Sequence, residues 1–476
     1  MRAGRLPREW AKSITVLLPK LPQPGGWKDT RPITLSSVML KILAQLLQHR
    51  LGTGLRQPSR IQYAIRGKQA AEMTLVVQKL IRQAEEWGLP LLMAKLDVRQ
   101  AFDRVSQPSV ARLIKERCGE EYPWETTLWM HMIFAQELSI HVSGKQLHVK
   151  QSNGVRQGSP DSPTLFSLLN EAVTVAALRE TGEREDLTAP GGYNMDPGPI
   201  PVALLLFMDD AWIIALTWPQ LQTRVNALVR GLGRVGLALG PAKTQILAAP
   251  AAPAGALQLH GERIRPVPGG TVVAALGTGV GFRIPSNTPL REACARARGA
   301  FWGQRAIFER EGSTMQKVRL FERTVQAKAL WNAGVFLPQK QGLQSLNACQ
   351  IKLIRAMRRP GRNPGEAWLD WELRTLRKAR ADLHRTASPR WSTVVLGKVW
   401  DLWGHASRQT GVTGQALAWR NQTWWRLQQS LPGGLRHPAR FSPHVDPERQ
   451  IQAVVDRRCG LGTPWEIVAG DRDRWR

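Results

Sequence analysis

The sequence predicts an α+β fold followed by a helical, basic second part, and three observations predict it. Short apolar runs alternate with longer segments of helical period over the first 290 residues. Two of the short runs flank Asp209-Asp210, a pattern that reads as a hairpin with carboxylates at its tip. Beyond residue 290 the runs become helical and rich in Arg and Trp.

Val38–Leu51 and Ala70–Ala84 place apolar residues at i, i+3, i+4 and i+7, the spacing of amphipathic helices, with a Gly/Pro/Arg loop between them. Pro90–Leu96 reads as a buried strand that ends on Asp97, after which VRQAFDRVS turns toward a helix. Ser162–Arg179 is a long apolar helix, and Pro160 or Pro163 suits its first turn. Glu180–Pro201 is a charged, Gly/Pro-rich connection. It leads to strands Ala203–Phe207 and Ala211–Leu216, with the Asp pair between them. Gln220–Val235 is helical in pattern, and the Pro/Ala stretch at 247–256 reads as a flexible loop. Leu290–Leu337 is a basic helical region. No repeat of fixed period is present.

The chain has 476 residues and 43% hydrophobic side chains, too apolar for a disordered tail and long enough for two or three domains. Lys and Arg number 66 against 37 Asp and Glu, a net charge of +29, which points to a polyanionic partner, nucleic acid or an anionic membrane surface. The excess is uneven: residues 1–290 carry a net +11, and residues 291–476 carry +18 with 12 of the 19 Trp. Four cysteines stand far apart with no CxxC spacing, so neither a disulfide framework nor a zinc knuckle is written, and a reducing compartment is the default. The ITVLL run near the start is too short for a signal-peptide core, so no export signal is read. The apolar run Val202–Trp218 carries Asp209 and Asp210 at its middle. Two carboxylates at a bilayer centre would cost several kcal/mol, and a span needs roughly 20 apolar residues, so the membrane reading fails.

An Asp at a strand end often caps the next helix, and an Asp pair often marks an exposed turn. If the strands ending at Asp97 and Asp209-Asp210 are neighbours, however, three carboxylates converge at one sheet edge, as hard divalent cations such as Mg²⁺ require. Two such ions, about 3.5–4 Å apart, support nucleotidyl transfer.

The residues around these carboxylates carry a resemblance. Leu204–Asp210 followed by Ala211-Trp212-Ile213-Ile214 resembles motif C of reverse transcriptases, Leu96–Asp103 resembles motif A, and Val155–Phe166 resembles motif B, in the order A, B, C. Trp10–Lys20 and Thr30–Leu35 look like the fingers motifs of the non-LTR retrotransposon and group II intron branch, with Lys41 and Arg50-Leu51 at the expected distance. Gly236–Leu239 through Lys243-Thr244 looks like motif D, and Leu276-Gly277 with Val280 and Phe282 like the primer-grip region. The likeness covers roughly residues 1–285 and implies a right-hand polymerase fold with fingers, an antiparallel palm sheet and a helical thumb. The implied domains are fingers and palm at 1–285, a thumb-like region at 286–345 and a basic, Trp-rich extension at 346–476.

By resemblance, Asp97, Asp209 and Asp210 with the Val98 carbonyl hold two Mg²⁺ ions, with Mn²⁺ as a substitute. Phe102 matches the steric gate against a ribose 2′-OH; it also reads as a core Phe at a helix start. Gln157 and Gly158 match the loop that approaches nucleotide and template, where Gly permits close backbone approach. Lys20 and Arg31 match triphosphate-gripping positions, and Lys243 matches the motif D proton donor to pyrophosphate. Arg156 reads as either a phosphate contact or a solvated charge. Two positions depart from the family pattern. Gln62-Tyr63-Ala64-Ile65 stands where an aromatic after Gln-x-Gly is usual, so Ala64 is a departure, and Asp161 replaces an apolar residue and so adds negative charge near the triphosphate. The chain starts almost at the first fingers motif, without the N-terminal extension of relatives, which suggests a fragment or a shortened version.

The implied activity is RNA-dependent DNA polymerisation for a non-LTR retroelement, with an RNA template, a DNA primer and dNTPs as partners. A separate endonuclease, no membrane, an open oligomeric state and a nuclear location go with it. The Arg355–Arg362 cluster is a weak localisation signal. The rivals are an inactive retroelement-derived nucleic-acid-binding protein, which the intact Asp triad disfavours, and an RNA-dependent RNA polymerase, which Phe102 and the RQGSP sequence disfavour. The Trp residues of the extension are expected to be core more than base-stacking platforms, and His405 and Cys459 to be structural.

Overall fold

The computed structural model describes the chain apart from residues 1–5, 22, 27–28, 56–60, 88–89, 143–144, 183–202, 286, 337, 410, 419–446, 461–462 and 476. Most of the expected 180–201 connection therefore lies outside the described residues. The chain forms two compact units, Met1–Gln69 with Pro90–Val267, and Ala70–Leu89 with Pro268–Arg476. This division does not follow the compositional step at 290: a helix from early in the chain packs within the second unit.

The first unit holds two four-stranded sheets. β1 (Lys12–Pro19) and β2 (Thr30–Ser36) pair antiparallel and lead into α1 (Val38–Arg50), whose start is capped by Ser37 accepting from Leu40 N at 3.1 Å. The chain then passes through α2 (Ala70–Trp87) of the second unit and returns as β3 (Leu92–Asp97). Next come α3 (Gln107–Cys118), α4 (Pro123–Phe134), and strands β4 (Glu137–Val142) and β5 (Lys145–Lys150). These two strands complete the sheet β2-β1-β4-β5. After α5 (Ser162–Arg179) come β6 (Leu204–Phe207), β7 (Asp210–Ala215), α6 (Trp218–Gly233), β8 (Gln245–Ala248), and the small hairpin β9 (Leu257–Leu259) and β10 (Glu262–Ile264).

The second sheet, ordered β6-β7-β3-β8, is antiparallel throughout. Alternation sends Leu92, Ala94, Leu96, Leu204, Leu206, Ala211, Ile213, Ala215 and Ile246 into one core with side chains of α3, α5 and α6. Residues Ile61–Tyr63 extend its edge: Leu206 N donates to Ile61 O at 2.9 Å and Tyr63 N to Leu206 O at 2.8 Å. The 247–256 stretch is not a free loop. β8 takes its first two residues, and Trp218 Nε1 pins the rest by donating to Pro253 O at 2.8 Å.

In β1 and β2 the polarity is inverted. Ser13, Thr15, Thr34 and Ser36 are buried, while Ile14, Val16, Leu18 and Leu35 are exposed. Period-two alternation is present, but the face it buries is the polar one.

Among the described residues the second unit is helical apart from the hairpin β11 (Val273–Ala275) and β12 (Thr278–Val280). Its helices are α2, α7 (Thr288–Gly303), α8 (Thr314–Phe321), α9 (Lys340–Met357), α10 (Trp368–Arg385), α11 (Trp391–Ser407), α12 (Val412–Ala418), α13 (Pro447–Cys459) and α14 (Trp465–Gly470), with shorter turns between them. The helical pattern over 290–337 is broken after α7 and again before α8, where Gly312 has φ 152°. A π-turn follows α8 at Glu322–Gln326.

Aromatics make this unit's core. Phe321 stacks on Trp391 at 5.7 Å and Trp400 on Trp475 at 3.9 Å, while Trp403 meets Trp465 edge-on at 5.9 Å. His405 Nε2 lies 2.9 Å from the buried Glu72 Oε1, a structural pairing, whereas Cys459 is exposed. Among the described residues no helix is long and apolar enough to cross a membrane.

Candidate active site

Asp97 closes β3 directly opposite Asp210, the first residue of β7. Asp210 in turn stands opposite Phe207, the last residue of β6, so Met208-Asp209 is a two-residue turn. Opposed residues of an antiparallel pair project from the same face. Asp97 and Asp210 therefore share one face at the sheet edge, and Asp209 stands in the turn beside them, close enough for both charges to act on its carboxyl.

Burial raises the Asp209 carboxyl above the ordinary range, and the charges of Asp210 and Asp97 push it the same way, while its own backbone amide and Arg31 oppose them. Two lysines offset the other carboxylates. Lys95 Nζ lies 3.5 Å from Asp210 Oδ1, and Lys243 Nζ lies 3.7 Å from Asp97 Oδ1. As they stand, no three His, Cys, Asp or Glu side chains among the described residues form a metal-binding group. The donor set nevertheless fits a hard divalent cation: three carboxylates, one of them destabilised by its neighbours' charge and relieved by any added cation.

The segment after α6 is fastened to the end of β3. Arg99 N donates to Ala238 O and Gly240 N to Asp97 O, both at 2.8 Å. Val98 is the bridging residue of this pair, and its carbonyl takes no part in the two hydrogen bonds. The short turn Pro241–Lys243 follows directly, which explains why the exposed Lys243 reaches Asp97.

The loop matching motif B rests against β2. Gln157 O accepts from Thr34 N at 2.7 Å. Gly158 has φ 122°, and a Cβ there would lie 2.6 Å from Thr34 O, so both conformation and space require glycine. Phe102 is half-buried, stacks on Phe166 at 5.0 Å, and its carbonyl accepts from Val155 N at 2.8 Å. That bond ties the backbone of Phe102 to the start of the Gly158 loop, and the stack on Phe166 fits the reading of this ring as a core Phe at a helix start.

Arg31, opposite Leu18 in β1–β2, is close enough to lower the Asp209 pKa. Lys20 acts elsewhere: its charge lowers Asp103, whose carboxyl burial otherwise raises. The structure thus brings Asp97, Val98, Asp209, Asp210, Lys243 and Arg31 together and places Lys20 toward Asp103.

Two sequence expectations are corrected. Arg156 is neither solvated nor a phosphate contact. It is buried, donates to Met132 O at 3.2 Å and Ala135 O at 3.4 Å at the end of α4, and burial pulls its pKa down to about 10 against the pull of Asp161. Asp161 does not face a triphosphate. It is buried, accepting from Trp129 Nε1 at 2.9 Å and from Ser159 Oγ. The sequence reading missed Lys95 beside Asp210, although period-two alternation places it on the face of Asp97.

The family model for reverse transcriptase (RNA-dependent DNA polymerase) matches residues 19–274, just over half of the chain. The Pol polyprotein of the type-1 retrotransposable element R2 from Nasonia vitripennis is 30% identical over 251 residues, covering 52% of this chain and 23% of that protein. That of the type-2 element R2DM from Drosophila melanogaster is 25% identical over 242 residues, 50% of this chain and 22% of that one. The chain spans about a quarter of the length of the curated relatives it matches. Telomerase from Candida Tropicalis, solved with a TWJ fragment of telomeric RNA, aligns over 87% of this chain and 64% of its own at 12% identity and a TM-score of 0.41, too loose to add to the argument. On its motifs, its sheet-edge carboxylates and these matches, the chain belongs to the reverse transcriptase (RNA-dependent DNA polymerase) family, on the non-LTR retrotransposon side of it.

Proposed function

We propose that this chain extends a DNA primer on an RNA template with dNTPs, using Mg²⁺, with Mn²⁺ able to replace it, as the polymerase part of a retroelement protein acting in the nucleus. The observation that carries this is the register of Asp97 with Asp210 and the placement of Asp209 in the adjoining turn. Divalent ions, when bound, would supply activation of the primer 3′-hydroxyl and stabilisation of the leaving phosphate oxygen. Asp97, Asp209, Asp210 and the Val98 carbonyl would hold them. Arg31, already close to Asp209, would reach the triphosphate, and its planar fork suits phosphate oxygens. Lys20 would contribute a second, more distant cation. Phe102 would pack under the sugar, and the Gln157-Gly158 backbone would border the nucleotide. Lys243 would give a proton to pyrophosphate from its place beside Asp97.

Strand cleavage would come from an endonuclease on another chain or segment. The basic helices of the second unit would bind the primer–template duplex through phosphates, with affinity falling as salt rises. Primer extension on an RNA template, with dNTPs against rNTPs and wild type against Asp209→Asn, tests the proposal. Template-dependent dNTP incorporation that Asp209→Asn abolishes is expected. No incorporation by the folded chain would leave a nucleic-acid-binding protein without polymerase activity, and equal use of rNTPs would remove the gate role of Phe102.

A further inference from the structure

The turn that carries Asp209 is built against its own preference. Two-residue hairpin turns favour Asn-Gly or Asp-Gly because the central residues need positive φ. Here the first position is Met208, at φ 55°. A non-glycine residue in that region is strained, because its Cβ crowds the following carbonyl oxygen. A turn of this sequence needs external support to hold one conformation.

That support comes from three buried polar side chains. Asn170 Nδ2 donates to Met208 O at 2.8 Å, Met208 N donates to Gln62 Oε1 at 3.3 Å, and Ser167 Oγ donates to Met208 Sδ at 2.9 Å. Gln62 is itself fixed: its Oε1 also accepts from Ala64 N at 3.0 Å, and its backbone bridges Leu206 beside β6. Ser167 and Asn170 stand three apart on α5, the spacing that puts both on one helix face. α5 is mostly apolar, and both residues are about 1% exposed. A polar side chain buried in an apolar helix is costly unless it is hydrogen-bonded, and here the bonds of both residues to another element go to Met208.

We infer that Gln62, Ser167 and Asn170 form a clamp that holds Met208 in its left-handed conformation and thereby fixes where the Asp209 carboxylate points. None of the three touches the reacting atoms, so they are positioning residues. The inference rests on the polymerase reading only for its catalytic consequence; the clamp itself is a property of the turn. A displacement of about 1 Å at a reacting group costs on the order of 10²-fold in rate. The clamp is therefore expected to act on kcat and to leave nucleotide binding alone.

The test uses the whole chain with Asn170→Leu, and Gln62→Met as a second variant from a different element. Leu keeps the branched outline of Asn at Cγ, and replacing a buried polar group by an apolar one of similar shape can be nearly neutral for stability. Three measurements are made: urea unfolding, hydrogen exchange of the amides from Leu206 to Trp212, and primer extension. Each variant is expected to keep the wild-type unfolding midpoint, to speed exchange at Met208 and Asp209 by about tenfold, and to lower kcat by about 10- to 100-fold with KM for dNTP within about twofold. The inference is overturned if exchange at the turn and kcat both stay at wild-type values, or if exchange rises uniformly along the chain with a lowered midpoint. If the wild type extends no primer while exchange at the turn responds as described, the polymerase reading falls and the clamp stands. If the wild type polymerises and the turn does not respond, the clamp alone falls.

Discussion

Replacing Gly158 with alanine probes the contact between the nucleotide-side loop and β2. The added Cβ would sit 2.6 Å from the Thr34 carbonyl oxygen, where ordinary contact begins at 3.4 Å, and the obstacle is strand backbone that cannot rotate aside. The φ of 122° is one that residues with a Cβ rarely adopt, a strain of about 1–3 kcal/mol. Strain and clash together are expected to cost about 2–4 kcal/mol of stability, read from urea unfolding. Relief requires β2 or the loop to shift, which opens the Thr34 N to Gln157 O bond and moves Arg31, three residues away on the same strand. At about 1.4 kcal/mol per tenfold, part of that strain appearing in the transition state lowers kcat/KM for dNTP by about 10- to 100-fold. Gly26→Ala is the control, since a Cβ at Gly26 meets nothing within 4 Å. A Gly158→Ala protein with stability and kcat/KM both within twofold of Gly26→Ala would refute the reasoning.

Asp209 supplies a pH prediction. Its folded pKa is raised, so its contribution favours the native state below the unfolded value, about 3.9, and is lost as pH rises through the folded value. In metal-free protein, Asp209→Asn should therefore have the higher Tm at pH 7, with the advantage vanishing below about pH 4. Adding Mg²⁺ should raise the wild-type Tm and leave that of Asp209→Asn nearly fixed; the reverse order would show that the carboxylates do not share a cation. Asp161→Leu strips Trp129 Nε1 of its acceptor and the buried Arg156 of a nearby opposite charge, and should cost about 3–5 kcal/mol in urea unfolding. A loss under about 0.5 kcal/mol would mean that the cluster is solvated. Trp475→Ala should cost about 3–5 kcal/mol, because the ring stacks on Trp400 and fills the space beside Gly404. A Tm equal to wild type would mean that the C-terminal turn does not dock.

Much of the catalytic edge was legible because it is written locally. Strand, Asp-Asp, strand is a hairpin whatever surrounds it, and Leu92–Asp97 is apolar enough to be buried on either side of its pairing partners. The extents of α1 and α5 were legible for the same reason, the first through its apolar spacing and the second through its length and apolarity. What was not legible depends on contacts distant in sequence. Arg156 looks like any other arginine until α4 folds over it, and Asp161 looks like a surface charge until Trp129 supplies its donor. The inverted β1–β2 face is invisible to a rule that sends apolar residues inward, because its buried side is made of Ser and Thr. The clamp residues Gln62 and Asn170 come from different elements, and only the fold brings them to Met208.

The place of α2 in the second unit bears on how the protein is made. This helix leaves the ribosome early, yet the rest of its unit begins only at Pro268. At about 5–20 residues per second, its buried face waits on the order of ten seconds or more for partners that do not yet exist. Meanwhile the first unit closes its sheet once β8 has emerged and paired with β3, and it ends at Val267 while most of the second unit is still to be made. A protein laid out this way cannot be split into independently folding halves by a single cut, and its slow step should be the late capture of an amphipathic helix by a core synthesised long after it.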